Sequence, residues 1–464
     1  MRIKNERIHF IGLGGIGMSA VARLAMAKGA RVSGSDSALN PVLTKIKKLG
    51  ARVHIGHRAS HLTDAGMVVY SSSIIPSNPE LMAARNKGIP VYHRGQFLAE
   101  LVQSKKTIAV AGAHGKSTTT AMIGSILMDA RFDPTVVLGA ELEKLNGNAR
   151  FGRGSYAVVE ADESDGSFLW LDPWAAVITN IDDEHLDYFR NRAEIEEAYR
   201  RFAGAVPAGG SVIGCYDDPS VRVLLKKVKA RVITYGFGRG AQVRAIRTQF
   251  SPGRTVYRLV YSGKELGTIT LKVPGRHNIL NSLAAVAVAR SAGVSFKVIQ
   301  KTLAAYQGAG RRFQVHGQVN EVCVVEDYGH HPTEINATLK AACEWGKRRV
   351  RCVFQPHRYS RTRYLMDRFS NCFRSADELI LLPIYAASEE PLPGVNSSAL
   401  LRKIKSAGHR RAMLKTAPGA LEYLRTTARP GDLVLFLGAG DVGVLSRKFF
   451  SSLGMSSSRK RGSV

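Results

Sequence analysis

Residues 107–120 read TIAVAGAHGKSTTT: an apolar run enters a glycine turn, then a lysine and four hydroxyl residues, and an apolar helical pattern follows. A strand that delivers a glycine turn to a helix N-terminus is suited to a nucleoside triphosphate. Backbone N–H groups of Gly112, Ala113, His114 and Gly115 can close around phosphate oxygens, Lys116 can reach the terminal phosphates, and Ser117 or Thr118 can offer a hydroxyl to Mg²⁺. The general loop is GxxxxGK[ST]; here Val110 stands where its first glycine would be, which makes this a shortened GxxGK[ST] variant. Near the N-terminus, HFIGLGGIGMSA (9–20) places Gly12, Gly14 and Gly17 in GxGxxG spacing after a strand-like run, with Asp36 further on. That pattern fits a dinucleotide fingerprint. Two phosphate-reading turns predict two phosphorylated ligands.

Two further strand ends carry charge. VVEADESDGSF (158–168) sets Glu160, Asp162, Glu163 and Asp165 after an apolar run, and TNIDDEHLDYF (179–189) sets Asn180, Asp182, Asp183, Glu184, His185 and Asp187 after another. Carboxylates at the carboxyl ends of strands, across from a phosphate loop, are placed to hold Mg²⁺. A histidine among them is a candidate second ligand in a two-metal or metal-plus-substrate arrangement.

Working outward, 464 residues exceed one hydrophobic core and predict about three domains. Strand-like IHFIGLG, RVSGSD and MVVYSSS alternate with helical stretches such as MSAVARLAMAKG up to a first boundary at 104. A second βα series spans 105–308 and includes a β-rich insertion around 232–273; a third spans 309–455 through CVVEDY, VRCVFQP, ELILLPI and DLVLFLGAG. The expected fold class is α/β, three consecutive α/β domains, the first and third Rossmann-like and the central one of P-loop type. The tail 456–464 (SSSRKRGSV) has no apolar content beyond its last residue and is expected to be disordered.

Composition narrows the class. With 45% hydrophobic and 22% charged residues, no run long enough to span a bilayer and no signal-peptide region, a cytoplasmic globular protein without a membrane partner is expected. Five scattered cysteines, none in CxxC spacing, support neither a disulfide framework nor a zinc site and are expected reduced and mostly buried. The net charge of +29 admits a nucleic-acid-binding P-loop ATPase. However, the basic clusters fall beside apolar runs, as solvated faces do, and no nucleic-acid partner is expected. A nicotinamide-dependent oxidoreductase would explain Gly12, Gly14, Gly17 and Asp36 but leaves the GKS loop, the strand-end carboxylates and the third domain without a task.

In their order along the chain, GLGGIGMS (12–19), SGSD (33–36), SSSIIPSNPE (71–80), AGAHGKSTTT (111–120), EADESD (160–165), His185, GRHNILNSLAA (275–285), GRRF (310–313), EDYGHHPTE (326–334) and PHRYSRTR (356–363) resemble the Mur ligases, the ATP-dependent amide-forming enzymes of bacterial cell-wall synthesis. The resemblance covers essentially the whole chain. It implies that the first domain binds UDP rather than NAD, with Gly14, Gly15 and Gly17 at the diphosphate and Asp36 and Ser72 also on the substrate. It implies that Lys116 meets the β/γ phosphates, that Ser117 and Glu160 hold one Mg²⁺ and His185 a second, that His277, Asn278 and Asn281 line the adenine side, that Arg312 reaches the phosphates and that Asp327 approaches the nucleotide. Tyr328, His330, His331, His357, Arg358 and Arg361 would face the muramate and amino-acid substrates, where paired arginines suit a carboxylate. His330 and His331 are the candidate bases for the amine.

The chain departs from the family pattern at Ala113, where threonine is usual, at Ala20, which replaces a common glycine, and at Glu184, where aspartate is usual. Later-acting members carry a carbamylated lysine after the histidine, and 185–202 contains no lysine, which points to the L-alanine-adding branch. The implied reaction joins L-alanine to the lactyl carboxylate of UDP-N-acetylmuramate through an acyl phosphate, with the protein acting as a monomer or weak homodimer.

Overall fold

A parallel strand buried on both faces reads as a near-continuous apolar run, and such runs make the centre of each sheet in the computed structural model, which describes residues 1, 3–185, 188–346, 349–387 and 389–459, the side chains of 455–459 excepted. Among the described residues the strands form three sheets. The first holds β1 (Arg7–Ile11), β2 (Arg31–Asp36), β3 (Arg52–Ile55), β4 (Met67–Tyr70) and β5 (Val91–His93) in the order β3-β2-β1-β4-β5. Every pairing in it is parallel. The chain leaves β1 with neighbours on both sides, and at that switch point the Gly12 turn opens the helix Ile16–Ala27.

The second sheet contains β6 (Lys106–Ala111), β7 (Thr135–Leu142), β8 (Gly147–Arg150), β9 (Tyr156–Glu160), β10 (Ala175–Ile178), β11 (Ser211–Cys215), β12 (Arg231–Gly236), β13 (Val243–Ser251), β14 (Arg254–Tyr261) and β15 (Lys264–Leu271), ordered β15-β14-β13-β12-β11-β10-β6-β9-β7-β8. Here β6 is flanked by β9 and β10, both parallel to it, so their carboxyl ends open on the same side. The expected β-rich insertion at 232–273 is β12 to β15.

The third sheet contains β16 (Gln314–Val319), β17 (Val322–Asp327), β18 (Arg349–Phe354), β19 (Glu378–Leu381), β20 (Ala412–Leu414) and β21 (Asp432–Leu437), ordered β16-β17-β21-β18-β19-β20. Only β16 runs antiparallel, against β17. The apolar run DLVLFL is buried at every position of β21, and clusters on the two faces of this sheet centre on Phe354 and Phe436.

The chain divides into two compact units, one of Met1–Ile246, Arg258–Ile269 and Leu280–Leu303, the other of Arg247–Tyr257, Thr270–Ile279 and Ala304–Val464. In the first unit one continuous hydrophobic cluster runs from Ile8 and Phe10 through Phe97 to Val159, Ile178 and Phe202. The α/β expectation, with three sheet-containing domains, agrees with this architecture. The tail expected at 456–464 begins inside a helix, Val442–Arg459, and 460–464 lies outside the described residues. No helix among the described residues is long and apolar enough to cross a membrane. Cys215, Cys323, Cys352 and Cys372 are free and buried, and Cys343 is free and exposed.

Candidate active site

In the first unit, β6 ends at Ala111 and the helix Lys116–Asp129 begins four residues beyond Gly112. Gly112 has φ +134°, and a Cβ there would stand 1.9 Å from Thr179 Oγ1. Gly115 is the helix N-cap at φ +84°, where a Cβ would stand 2.4 Å from Asn281 Oδ1. Only glycine fits either position. The loop is braced from the end of β10: Asn180 Oδ1 accepts from the His114 N–H at 2.9 Å, and the His114 carbonyl accepts from Thr179 Oγ1 at 2.6 Å and Asn180 Nδ2 at 2.9 Å. The His114 ring lies 3.1 Å from Asp182. Ala113 and Thr118 are buried. Asn281, also buried, accepts from Thr119 Oγ1 at 3.2 Å, so it packs directly against the glycine turn.

Lys116 Nζ donates to the Gly112 carbonyl at 2.7 Å and to Glu163 Oε1 at 2.6 Å. Burial opposes its charge, but Glu163, Asp162 and Glu184 outweigh burial and hold its pKa above the ordinary value. Beside it, Ser117 Oγ donates to Glu160 Oε1 at 3.0 Å, and the other oxygen of Glu160 accepts from the Gly139 N–H at 2.8 Å. Ser117 and Glu160, which the resemblance assigns to one Mg²⁺, thus stand 3.0 Å apart. His185, at φ +58°, lies 3.5 Å from Glu163 and 4.0 Å from Glu184. Burial lowers its pKa, and the Glu163 hydrogen bond with the Glu184 charge reverses that to a net rise.

Ligand atoms of Glu163, Glu184 and His185 all lie within 4.8 Å of one another, and Glu163 Oε2 is buried with no hydrogen-bond partner among the described residues. A carboxylate-rich group with an orphaned oxygen fits a divalent cation.

In the first sheet, Asp36 Oδ2 accepts from the Gly14 N–H at 2.8 Å and thereby fixes the glycine turn. Gly15 caps the helix Ile16–Ala27 with no side-chain hydrogen bond, and Gly17 lies in its first turn. Ser72 Oγ donates to Asp165, and His93 Nε2 lies 3.3 Å from Ser72 Oγ.

The second unit gathers the remaining expected residues. Asp327, at the end of β17, accepts from the Phe313 and Gly329 N–H groups, each at 2.7 Å, and burial raises its pKa although Arg312 opposes this. The Arg312 guanidinium stands over the Tyr328 ring, 5.0 Å from its centroid. Burial lowers the His277 pKa to about 4, so the ring is neutral, and the buried Asn278 donates to the Pro274 carbonyl at 2.7 Å. His330 Nδ1 is 3.1 Å from the Tyr328 carbonyl. Its ring centroid is 6.1 Å from that of His357, which stacks on Tyr385 at 5.6 Å. Burial, reinforced by Arg361, depresses the His357 pKa to about 3, and Arg361 Nη1 donates to its Nδ1 at 3.1 Å. Arg358 lies 3.9 Å from Glu389. His331 is buried and caps the helix Pro332–Glu344 in a capping box with Glu334.

Glu163 and Glu184 were read in the sequence only as members of the acidic runs placed to hold Mg²⁺, and the structure sets both beside His185, the ligand expected there. Arg94 ion-pairs with Asp162 at 3.0 Å, but nothing in HRGQF marks it.

Family models match the chain in succession: "Mur ligase family, catalytic domain" at 7–106, "Mur ligase middle domain" at 110–289, and "Mur ligase, glutamate ligase domain" at 311–440. The UDP-N-acetylmuramate–L-alanine ligase of Syntrophus aciditrophicus is 46% identical over 98% of this chain and 95% of its own length. The enzyme of the same name from Desulforamulus reducens is 46% identical over 97% of this chain and 98% of its own. A crystal structure of the UDP-N-acetylmuramate-alanine ligase of Thermotoga maritima superposes with a TM-score of 0.84 at 29% identity, covering 97% of this chain and 99% of that one.

Proposed function

The chain belongs to the Mur ligase family, and on that premise we propose that it joins L-alanine to the lactyl carboxylate of UDP-N-acetylmuramate with cleavage of ATP, in the synthesis of peptidoglycan precursors in the cytoplasm. We assign 1–104 to the UDP-sugar, 105–308 to ATP and 309–455 to the amino acid and the substrate carboxylate. The full-length relatives support the activity, and one arrangement carries the chemistry: Lys116 and Ser117 open a helix beneath a glycine loop and touch Glu163 and Glu160, just past and at the end of the neighbouring strand β9.

The lactyl carboxylate oxygen attacks the γ-phosphorus of ATP, the bond to the β-phosphate oxygen breaks, and ADP leaves. The neutral amine of L-alanine then adds to the acyl phosphate carbonyl, the carbon–oxygen bond to phosphate breaks, and the amine gives up a proton. Most of the work is positioning and charge neutralisation. Lys116, held charged by its acidic neighbours, exchanges Glu163 for phosphate oxygens, while the amides of 112–115 cradle the chain of phosphates. Mg²⁺ bound at Ser117 and Glu160, and a second ion at His185 with Glu163 and Glu184, would neutralise phosphate charge. Arg312 adds a charge to the phosphoryl group, and Asn278, Asn281, His277 and Asp327 shape the nucleotide side. Arg358 and Arg361 take substrate carboxylates, with Tyr328, His330, His331 and His357 around them. With burial holding it neutral, His357 serves as a wall or hydrogen-bond partner, and His330 is the better placed of the histidines to take the amine proton, because His331 is committed to capping a helix.

Phosphate release from ATP with Mg²⁺ and UDP-N-acetylmuramate, with L-alanine, glycine or L-serine added in turn, tests this reading. Release that needs both the sugar nucleotide and L-alanine is expected; release indifferent to either would overturn it. The alternatives have less support. A dinucleotide role would use Asp36 on a ribose, yet its Oδ2 is taken by the Gly14 amide.

A further inference from the structure

The proposed reaction brings an anionic sugar nucleotide up to an anionic triphosphate, and the role of Arg94 rests on that reading. Arg94, the first residue of the helix Arg94–Val102, reaches from the first glycine turn to the acidic loop after β9. Its Nη2 donates to Asp162 Oδ2 at 3.0 Å and to Asp165 Oδ2 at 3.5 Å, and its Nη1 lies 3.1 Å from where a Cβ on Gly17 would stand. The side chain is only 15% exposed. Neither carboxylate is free to turn away: Asp162 Oδ1 accepts from the Ser164 N–H at 3.1 Å and Asp165 Oδ1 from the Ser167 N–H at 3.0 Å, which leaves both Oδ2 atoms directed at Arg94. Asp165 also accepts from Ser72 Oγ. Two fixed negative charges therefore stand beside Gly17 and Ser72, the positions assigned to the diphosphate and the sugar, and the guanidinium that spans them is already engaged by both.

We propose that Arg94 is a positioning residue that masks Asp162 and Asp165, so that an anionic sugar nucleotide can seat along Gly17 and Ser72 without like-charge repulsion. It acts through the two aspartates and not by gripping the phosphate. Unmasked carboxylates at this distance repel an anion strongly in a partly buried site.

Calorimetric binding of UDP-N-acetylmuramate to the full chain, without nucleotide, tests the proposal. Arg94→Gln is expected to weaken binding about tenfold while ATP binds within about twofold of the parent. Adding Asp165→Asn restores the parent's net charge at the cluster, and most of the lost affinity is expected to return. Arg94→Lys, which keeps the charge, is expected to retain it. A double variant as weak as Arg94→Gln overturns masking and makes Arg94 either a direct ligand contact or a brace, and so does an Arg94→Gln variant that binds like the parent. Should Arg94→Gln fail to fold, Asp165→Asn alone decides, because removing one repelling charge is expected to tighten binding and weaker binding overturns the idea. A parent protein that does not bind UDP-N-acetylmuramate at all refutes the proposed function itself, a result separate from any comparison among variants.

Discussion

Lys116 is held in a bond network that a nucleotide would replace under the proposed function. Its ammonium is shared between the Gly112 carbonyl and Glu163, neither of which belongs to the first sheet. Lys116→Ala is therefore expected to lower phosphate release by about 10²–10³-fold or more and to leave calorimetric binding of UDP-N-acetylmuramate nearly intact. Loss of sugar-nucleotide affinity in that variant would contradict the assignment of the two ligands to separate sheets. At Glu80 the chemistry is structural. This carboxylate is buried under the first sheet, 2.6 Å from His61, 3.0 Å from His57 and 3.5 Å from His9, and although burial raises its pKa these hydrogen bonds and that from Ser35 lower it to about 2 from 4.5. A depressed carboxylate stabilises the fold above its unfolded pKa and loses that contribution as pH falls through the folded one. The window is thus about pH 4.5 down to about 2, and the contribution is about 3 kcal/mol at neutral pH. Denaturant titrations of Glu80→Gln should show lower stability than the parent at pH 7, with the gap closing toward pH 2; a gap that does not change with pH would deny the carboxylate this role.

Elements decide which residues meet. The ends of β6, β9 and β10 lie side by side because both neighbours pair parallel to β6, which sets the loop 112–115, the acidic run 160–165 and the run 179–185 at one edge. The loop conformation is fixed by contact as well as by dihedral angle. Gly112→Ala would place a methyl group 1.9 Å from Thr179 Oγ1 at φ +134°, so a loss of about 2–4 kcal/mol is expected, together with loss of nucleotide binding. A parent-like melting curve for this variant would show that the loop can move aside. The strands themselves were legible: KTIAVA, AAVI and DLVLFL are apolar runs of strand length, and each is a buried strand. The helix cap at His331 was not legible, since HHPTE reads equally as two side chains facing a substrate. The proline and Glu334 that complete its capping box are ordinary helix-start residues, and only the folded turn shows the imidazole accepting from the Thr333 N–H.

For the whole molecule the net charge of +29 raises the question of nucleic acid. Many of the basic groups have acidic partners nearby: Lys45 with Glu141, Arg192 with Asp183 and Glu196, Arg349 with Asp432, Arg311 with Glu326. With 66 basic residues against 37 acidic ones an excess of 29 is left over, and in the sequence its clusters fall beside apolar runs, as solvated faces do. Double-stranded DNA added to the phosphate-release assay at low salt is expected to leave the rate unchanged, and a DNA-stimulated rate would revive the P-loop ATPase reading.

Sequence alone determined the local devices: two glycine turns, each between a strand and a helix, because glycine and hydrophobic periodicity act over a few residues and leave their pattern in the order of the chain. It also determined the family, through motifs spread from Gly12 to Arg363. The tertiary structure decided the partners of the charges. Glu163 rather than Glu160 stands by His185, Asp36 holds an amide, and Arg94 covers two aspartates 68 and 71 residues away. Such pairings depend on which strand ends lie side by side and how side chains are oriented there, and electrostatic contact falls off with distance in space, which one-dimensional spacing does not record.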